Sequence, residues 1–171
     1  IPGAEETMAQ KRFAILTCMD SRLDPVSNYG LEEGDYYIIR NAGGRATEDA
    51  IRSMVISHKF LGTSEWWIVH HTDCKMGLIT DELIGELLEE DLETAVLDRG
   101  IWSNQKRENT KNTKPGSSLA RQMKWHTFTD LEQSVVDDVK TIKHHELVPN
   151  DIKVKGFIFN LEDHELRPVV T

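Results

Sequence analysis

Hydrophobic positions along the chain fall into short apolar runs separated by longer segments with helical periodicity. Four segments have the composition and spacing of β-strands: 13–17, 35–40, 65–70 and 152–160. The first contains the continuous apolar run 13–16, which is typical of a strand buried on both faces, whereas the last alternates like a half-exposed strand. The pattern therefore predicts four strands spread over the length of the chain.

Three amphipathic segments, 48–61, 81–97 and 130–147, predict helices between these strands. Thr47 is suited to cap the first helix and Gly62 to end it, while Pro149 follows the third. Parallel neighbouring strands need crossover connections, so strands that alternate with helices predict an α/β fold. We expect a mostly parallel central β-sheet flanked by helices.

Length and charge limit the classes of function. A chain of 171 residues predicts one domain, 1–171, and the polar segment 102–118 is expected to be a surface loop within it. No apolar run approaches 18 residues and residues 1–6 lack a signal-peptide core, so we expect a cytoplasmic protein without a membrane span. A formal net charge of -9 repels polyanions and argues against nucleic acid or anionic membrane as partners.

The two cysteines each follow a predicted strand. Cys18 comes directly after the first strand, and Cys74 lies three residues after His71, beyond the third. Sites in such sheets form beyond the carboxyl ends of the strands. Because each cysteine has other metal-ligand residues nearby, a metal is favoured over a disulfide. Cys18, His71 and Cys74 supply the three ligands typical of catalytic zinc, which leaves the fourth position for water.

A carboxylate and a guanidinium follow Cys18 at two and four residues. A water activated by zinc must lose a proton to become a nucleophile, and Asp20 is placed to accept its hydrogen bond. A carboxylate so close to zinc is itself able to occupy the open position, and a bidentate pair with Arg22 would prevent this. We therefore predict that Asp20 and Arg22 form a catalytic dyad.

Three motif blocks, in order along the chain, resemble those of the β-class carbonic anhydrases: Cys18-Met19-Asp20-Ser21-Arg22, Arg40-Asn41-Ala42-Gly43 and His71-x-x-Cys74. The resemblance is closest to the small branch called class D, which includes carbonyl sulfide hydrolases and has carbon disulfide hydrolases as relatives. It implies one Zn²⁺ per chain on these ligands, the Asp20–Arg22 dyad, and a homodimer or higher homo-oligomer. One departure is Lys75, which stands where the family usually has Gly and is expected on the surface.

The leading functional hypothesis is zinc-dependent hydration of CO2 to bicarbonate, with carbonyl sulfide hydrolysis to hydrogen sulfide and CO2 as the alternative on the same site. A preference among CO2, carbonyl sulfide and carbon disulfide does not follow from the sequence. A small neutral substrate predicts a narrow apolar pocket, and Ala42, Gly43 and Met76 are its predicted wall residues. The thioether of Met76 suits a polarisable sulfur substrate. Two other classes stay open, namely a non-catalytic zinc module closed by Asp20 and a redox protein that uses the two cysteines as a dithiol.

Overall fold

The computed structural model describes residues 13–32, 34–105 and 114–171. The chain divides into two compact units, of which one is Leu78–Thr127 and the other contains the described residues up to Gly77 together with Phe128–Thr171. The predicted single domain, 1–171, stays a prediction. Residues 1–6, and 106–113 of the predicted loop, lie outside the described residues. None of the helices among these described residues combines the length and the hydrophobicity that a membrane-spanning segment requires.

The described strands are, in chain order, β1 (Phe13–Cys18), β2 (Tyr36–Asn41), β3 (Glu65–His71), β4 (Val96–Asp98), β5 (Ile101–Ser103), β6 (Lys153–Phe159) and β7 (Leu166–Val170). The α-helices are α1 (Pro25–Tyr29), α2 (Glu48–Leu61), α3 (Asp81–Glu90) and α4 (Leu131–Lys143). A five-stranded sheet has the order β2-β1-β3-β6-β7. Its first four strands are parallel and β7 is antiparallel to β6, which confirms the mostly parallel sheet.

Capping residues explain where helices α2 and α4 begin and where α2 ends. Thr47 accepts a hydrogen bond from the Ala50 amide, and Gly62 ends α2 in the left-handed conformation, so the predicted helix 48–61 is confirmed. The Asp130 carboxylate accepts from the Gln133 amide at 2.9 Å and begins α4. This helix ends at Lys143, four residues short of the predicted end.

The sheet carries a hydrophobic cluster on each face. Alternating side chains of β1 enter both clusters, and the whole strand is buried because it lies between two neighbours. One cluster packs the sheet against α2 and α4, through residues such as Met54 and Val139. The other cluster contains both cysteines together with Leu23, Tyr29 and Phe159. The carboxyl ends of β1 and β3 therefore deliver their side chains into a buried environment.

The second unit, Leu78–Thr127, corrects two predictions. The helix predicted over 81–97 ends at Glu90, because the Leu92 amide donates to the Lys114 carbonyl oxygen and the Asn104 side chain donates to the Leu87 carbonyl oxygen. These contacts satisfy backbone groups that a longer helix would pair internally. The chain continues into the antiparallel hairpin β4–β5, so the predicted loop 102–118 begins as a strand.

Candidate metal centre

Three potential metal ligands converge at the carboxyl edge of the sheet. Cys18 and His71 are the last residues of the neighbouring parallel strands β1 and β3. After β3 the chain bends, because the Thr72 amide donates to the Phe159 carbonyl oxygen and Asp73 adopts a left-handed backbone with φ 55°. This bend brings Cys74 back towards Cys18. The ligand atoms of Cys18, His71 and Cys74 all lie within 4.8 Å of one another.

The spacing of the two sulfur atoms fits a zinc ion. The Sγ atoms of Cys18 and Cys74 are 4.0 Å apart. Two thiolates bound at the usual Zn–S distance with tetrahedral geometry lie about 3.8 Å apart. A disulfide requires about 2.05 Å, and both cysteines are free. The geometry therefore matches thiolate ligands of one tetrahedral ion.

The imidazole of His71 is oriented as a ligand. Its Nδ1 lies 2.8 Å from the Thr72 carbonyl oxygen, which can only accept, so Nδ1 carries the proton. Within the described chain, its Nε2 is buried and has no hydrogen-bond partner. An unpartnered buried nitrogen costs free energy unless a ligand occupies its lone pair. A backbone carbonyl that fixes the tautomer in this way is common behind metal-bound histidines.

The two thiols differ in acidity because they interact with each other. The hydrogen bond from the Cys74 thiol, together with the Gly43 amide 3.3 Å from the sulfur, lowers the pKa of Cys18. The same thiol–thiol contact and burial raise the pKa of Cys74, because its proton is held between the sulfurs. A metal ion that binds both residues must displace this proton.

Asp20 and Arg22 form a bidentate ion pair beside the ligand set. Arg22 Nε donates to Asp20 Oδ1 at 3.0 Å and Nη2 donates to Oδ2 at 2.7 Å, while the Arg22 backbone amide donates to Oδ1 at 2.9 Å. These hydrogen bonds hold the pKa of Asp20 well below its usual range. Asp20 Oδ2 lies 4.0 Å from His71 Nε2. An ionised carboxylate is thus held next to the candidate metal position.

Two further residues of this edge were missed by sequence reasoning. Asp73 accepts from Arg22 Nη1 at 2.7 Å and orients the guanidinium from its other side. Arg40 donates to the carbonyl oxygens of Cys18 and Asp20, at 2.9 and 2.6 Å. Both residues lie inside the recognised motif blocks, and the only signal for them was a charged residue at a strand end. Their contacts join segments that are distant in sequence.

The predicted pocket residues lie around the sulfur atoms to different degrees. Gly43 is buried, and a Cβ built on it would lie 3.2 Å from Cγ of Met76. Met76 and Phe128 pack against the cluster that contains both cysteines, although Phe128 was not predicted. Ala42 is exposed in the single chain. Lys75 is exposed as expected, and it is not among the residues with positive φ, so its backbone does not require glycine.

The mostly parallel sheet and the Cys–His–Cys site at its edge define an α/β protein with a candidate zinc centre. A family model described as carbonic anhydrase matches residues 13–166. The chain therefore belongs to the β-class carbonic anhydrase family.

Curated relatives in this family include two kinds of enzyme. A carbon disulfide hydrolase from Acidianus sp. (strain A1-3) is 31% identical over 166 residues, which cover 92% of this chain and 76% of that protein. Beta-carbonic anhydrase 1 of Mycobacterium tuberculosis (strain ATCC 25618 / H37Rv) is 31% identical over 159 residues, which cover 93% of this chain and 82% of that protein. The chain is accordingly an enzyme of this family.

Solved structures confirm the fold. A carbonic anhydrase from Streptococcus mutans superposes with a TM-score of 0.76 at 38% identity. The match covers 95% of this chain and 84% of that one. The apo form of a carbon disulfide hydrolase gives a TM-score of 0.70 at 27% identity, with 96% and 82% covered. Both kinds of relative thus share the architecture as well as the sequence.

Removal of one thiolate tests the candidate ligand set. We expect the wild-type chain to bind one zinc per chain and Cys74→Ala to lose it, because two protein ligands hold zinc far more weakly than three. Metal analysis after equilibrium dialysis measures the stoichiometry. Lys75→Ala, which removes the exposed neighbouring side chain, is the matched control and should keep one zinc. Full zinc occupancy in Cys74→Ala would refute the assignment.

Proposed function

We propose that the chain hydrates CO2 reversibly to bicarbonate at one Zn²⁺ held by Cys18, His71 and Cys74. The observation that carries the proposal is the convergence of these three ligand atoms within 4.8 Å, beside a carboxylate that Arg22 holds in a bidentate pair. Three protein ligands leave one tetrahedral position for water, as in catalytic rather than structural zinc sites. Membership of the carbonic anhydrase family supports the same reaction.

The protein groups have separate tasks in this reaction. A Zn²⁺ held by Cys18, His71 and Cys74 would supply a water of lowered pKa and hence a nucleophile at neutral pH. Asp20 accepts the hydrogen bond of that nucleophile and orients it towards the substrate carbon, because its lowered pKa keeps it ionised. Arg22 uses three donors on the two carboxylate oxygens and keeps Asp20 away from the metal. Asp73, on the opposite side of the guanidinium, fixes the direction of that fork.

The apolar residues around the sulfurs restrict water near the reacting carbon. Both cysteines belong to a buried cluster with Leu23 and Val69, and Met76 and Phe128 pack against it. CO2 is neutral and offers few hydrogen-bond handles, so it enters such surroundings at little desolvation cost.

Hydrolysis of carbonyl sulfide, or of carbon disulfide, is the second candidate. It is favoured by the thioether of Met76, which packs against the sulfur-containing cluster and suits a polarisable substrate. Carbon disulfide hydrolases among the relatives point the same way. The reaction uses the same nucleophile and the same kind of electrophilic carbon. We place CO2 first because the matching family model is described as carbonic anhydrase, and relatives such as beta-carbonic anhydrase 1 are named for CO2 hydration.

The two other classes, a non-catalytic zinc module and a redox protein, have less support. A closed structural site needs Asp20 as a fourth ligand, yet both of its oxygens accept hydrogen bonds from Arg22. A redox dithiol does not require His71 Nε2, a buried nitrogen beside the two sulfurs that has no hydrogen-bond partner among the described residues.

The cytoplasmic location stays a prediction.

Assembly into a homodimer or a multiple of it belongs to the same proposal. Strand β2 lies at an edge of the described sheet and exposes 39% of Ile38, while Met19 beside Cys18 is 66% exposed. An edge strand with exposed apolar side chains is a template for pairing with a second chain. Among structures that share only the fold, one pair from Sordaria macrospora is described as tetrameric.

Turnover of the three candidate substrates tests the reaction directly. For zinc-loaded protein we expect a kcat/KM for CO2 above the values for carbonyl sulfide and carbon disulfide, measured by stopped-flow proton release and by hydrogen sulfide detection. Cys74→Ala should be inactive on all three. A higher value for either sulfur compound would make the second candidate correct, and no turnover of any of the three substrates by a zinc-loaded chain would refute both.

Arg22→Ala tests the dyad separately from metal binding. Without the fork, Asp20 is free to bind the metal, so activity should fall by about 100-fold or more, the range for loss of a general acid–base group. Zinc content should stay at one per chain. The matched control is Arg52→Ala, because Arg52 forms an exposed ion pair with Asp49 on α2. Near-normal turnover of Arg22→Ala would contradict the proposed role.

Light scattering at micromolar concentration tests the assembly. We expect a mass of at least twice the 19.5 kDa chain. Ile38→Lys should shift the protein towards monomer, because a charge on an edge strand opposes pairing. The matched control is Leu147→Lys, which changes an apolar side chain that is 66% exposed outside the sheet. A wild-type monomer would refute the prediction.

A further inference from the structure

A buried carboxylate lies behind the candidate metal centre, on the opposite face of the sheet. Asp138 of α4 exposes only 7% of its side chain. It accepts from Arg45 Nε at 2.7 Å, from Arg45 Nη2 at 3.0 Å and from the Ala46 amide at 3.2 Å. Burial raises the pKa of Asp138, but the hydrogen bonds from His70 and Arg45 outweigh it and keep the pKa below its usual value.

His70 connects this carboxylate to the strand that carries His71. The Ser134 hydroxyl donates to the Leu131 carbonyl oxygen, so its oxygen accepts from His70 Nδ1 at 2.8 Å. On the other side of the ring, Nε2 lies 3.2 Å from the Gly44 carbonyl oxygen and 3.2 Å from Asp138 Oδ2. Both ring nitrogens therefore face acceptors. We call Arg45, His70, Ser134 and Asp138 the α4 polar cluster.

The α4 polar cluster holds both segments that contact the metal ligands. One is the turn Ala42–Gly44. Asp138 binds the two residues that follow this turn, Arg45 and Ala46, and His70 contacts the Gly44 carbonyl oxygen. In this turn the Gly43 amide donates to Cys18 Sγ at 3.3 Å. Gly44 lies so close to β1 that an added Cβ would be 2.8 Å from the Thr17 carbonyl carbon. The other segment is the end of β3, because His70 directly precedes His71.

We propose that Asp138 is a positioning residue for the metal centre. By fixing Arg45 and His70, it holds the Gly43 amide against the Cys18 sulfur and the end of β3 in the orientation that presents His71. Hydrogen bonds to a metal-bound thiolate tune its donor strength, and loss of a group that hydrogen-bonds a ligand, as the Gly43 amide does here, commonly costs about 10–100-fold in metal affinity. The inference rests on the proposed zinc site.

Stability alone is a poor explanation for these buried charges. Replacement of a buried ion pair by apolar residues of similar volume is often neutral or stabilising, because desolvation offsets the attraction. A polar cluster whose groups are all hydrogen-bonded instead fixes one arrangement of the chain. Here the fixed arrangement is the turn that contacts Cys18.

The test is Asp138→Asn, with Asp137→Asn as the matched control. Asp137 is the preceding residue of α4, is exposed, and accepts from the Gln133 side chain at 2.8 Å. The probes are zinc affinity, measured by competition with a chelator, and the thiolate-to-cobalt charge-transfer band of the cobalt(II)-loaded chain. Asp138→Asn should bind zinc about 10-fold or more weakly and shift this band. Asp137→Asn should match the wild type in both.

Thermal unfolding of each metal-free variant separates positioning from plain destabilisation. A lower Tm of Asp138→Asn with unchanged zinc affinity and an unchanged cobalt band would overturn the inference. Should Asp138→Asn fail to fold, Arg45→Lys is the second variant, because it keeps the positive charge but loses the bidentate contact with Asp138. Arg45→Lys must then shift the same cobalt band for the inference to stand. A wild-type chain that binds neither metal would instead refute the proposed zinc site.

Discussion

The parallel pairing of β1 with β3 is the constraint on which the rest of the site depends. Thr17 and Val69 are partners in this pairing, so the two strands end side by side at one edge of the sheet. Cys18 and His71 are delivered there by backbone hydrogen bonds, before any side chain of the site is considered. Cys74 needs only the short bend after β3 to complete the set. Because a strand cannot slip by one residue without turning every side chain to the other face, this pairing also fixes which histidine faces the sulfurs.

The two faces of β3 meet different chemical requirements. The His71 side chain lies beside both sulfurs, which belong to a mainly apolar cluster, and this cluster limits water around the candidate metal position. His70, one residue earlier, points to the face packed against α4 and meets Ser134 and Asp138 there. Buried charges are tolerated on that face because each is paired and hydrogen-bonded. One strand thus joins the side with the candidate metal ligands to a polar support.

Several elements did not follow from the hydrophobic pattern, each for a physical reason. The segment 81–97 has helical periodicity throughout, yet α3 ends at Glu90. It ends there because the Lys114 carbonyl oxygen and the Asn104 side chain form hydrogen bonds with its last residues and those that follow. Strands β4 and β5 have three residues each, too few for a period to be recognised. Strand β7 contains Pro168, which argues against a strand in general but is tolerated at the edge of a sheet. For α3 and β7, contacts with other segments of the chain outweighed local preference.

The sequence by itself determined the kinds of candidate ligand and their local order. Cys18, Asp20 and Arg22 lie within five consecutive residues, and one turn brings His71 near Cys74, so their chemistry was recognisable from spacing alone. The tertiary structure decided what supports them. Arg22 meets Asp73 across 51 positions, and Arg45 meets Asp138 across 93. No local periodicity encodes contacts of that separation, because each forms only when the folded chain brings the two segments together. The Arg45–Asp138 pair in addition depends on α4 packing on the sheet, which buries both side chains.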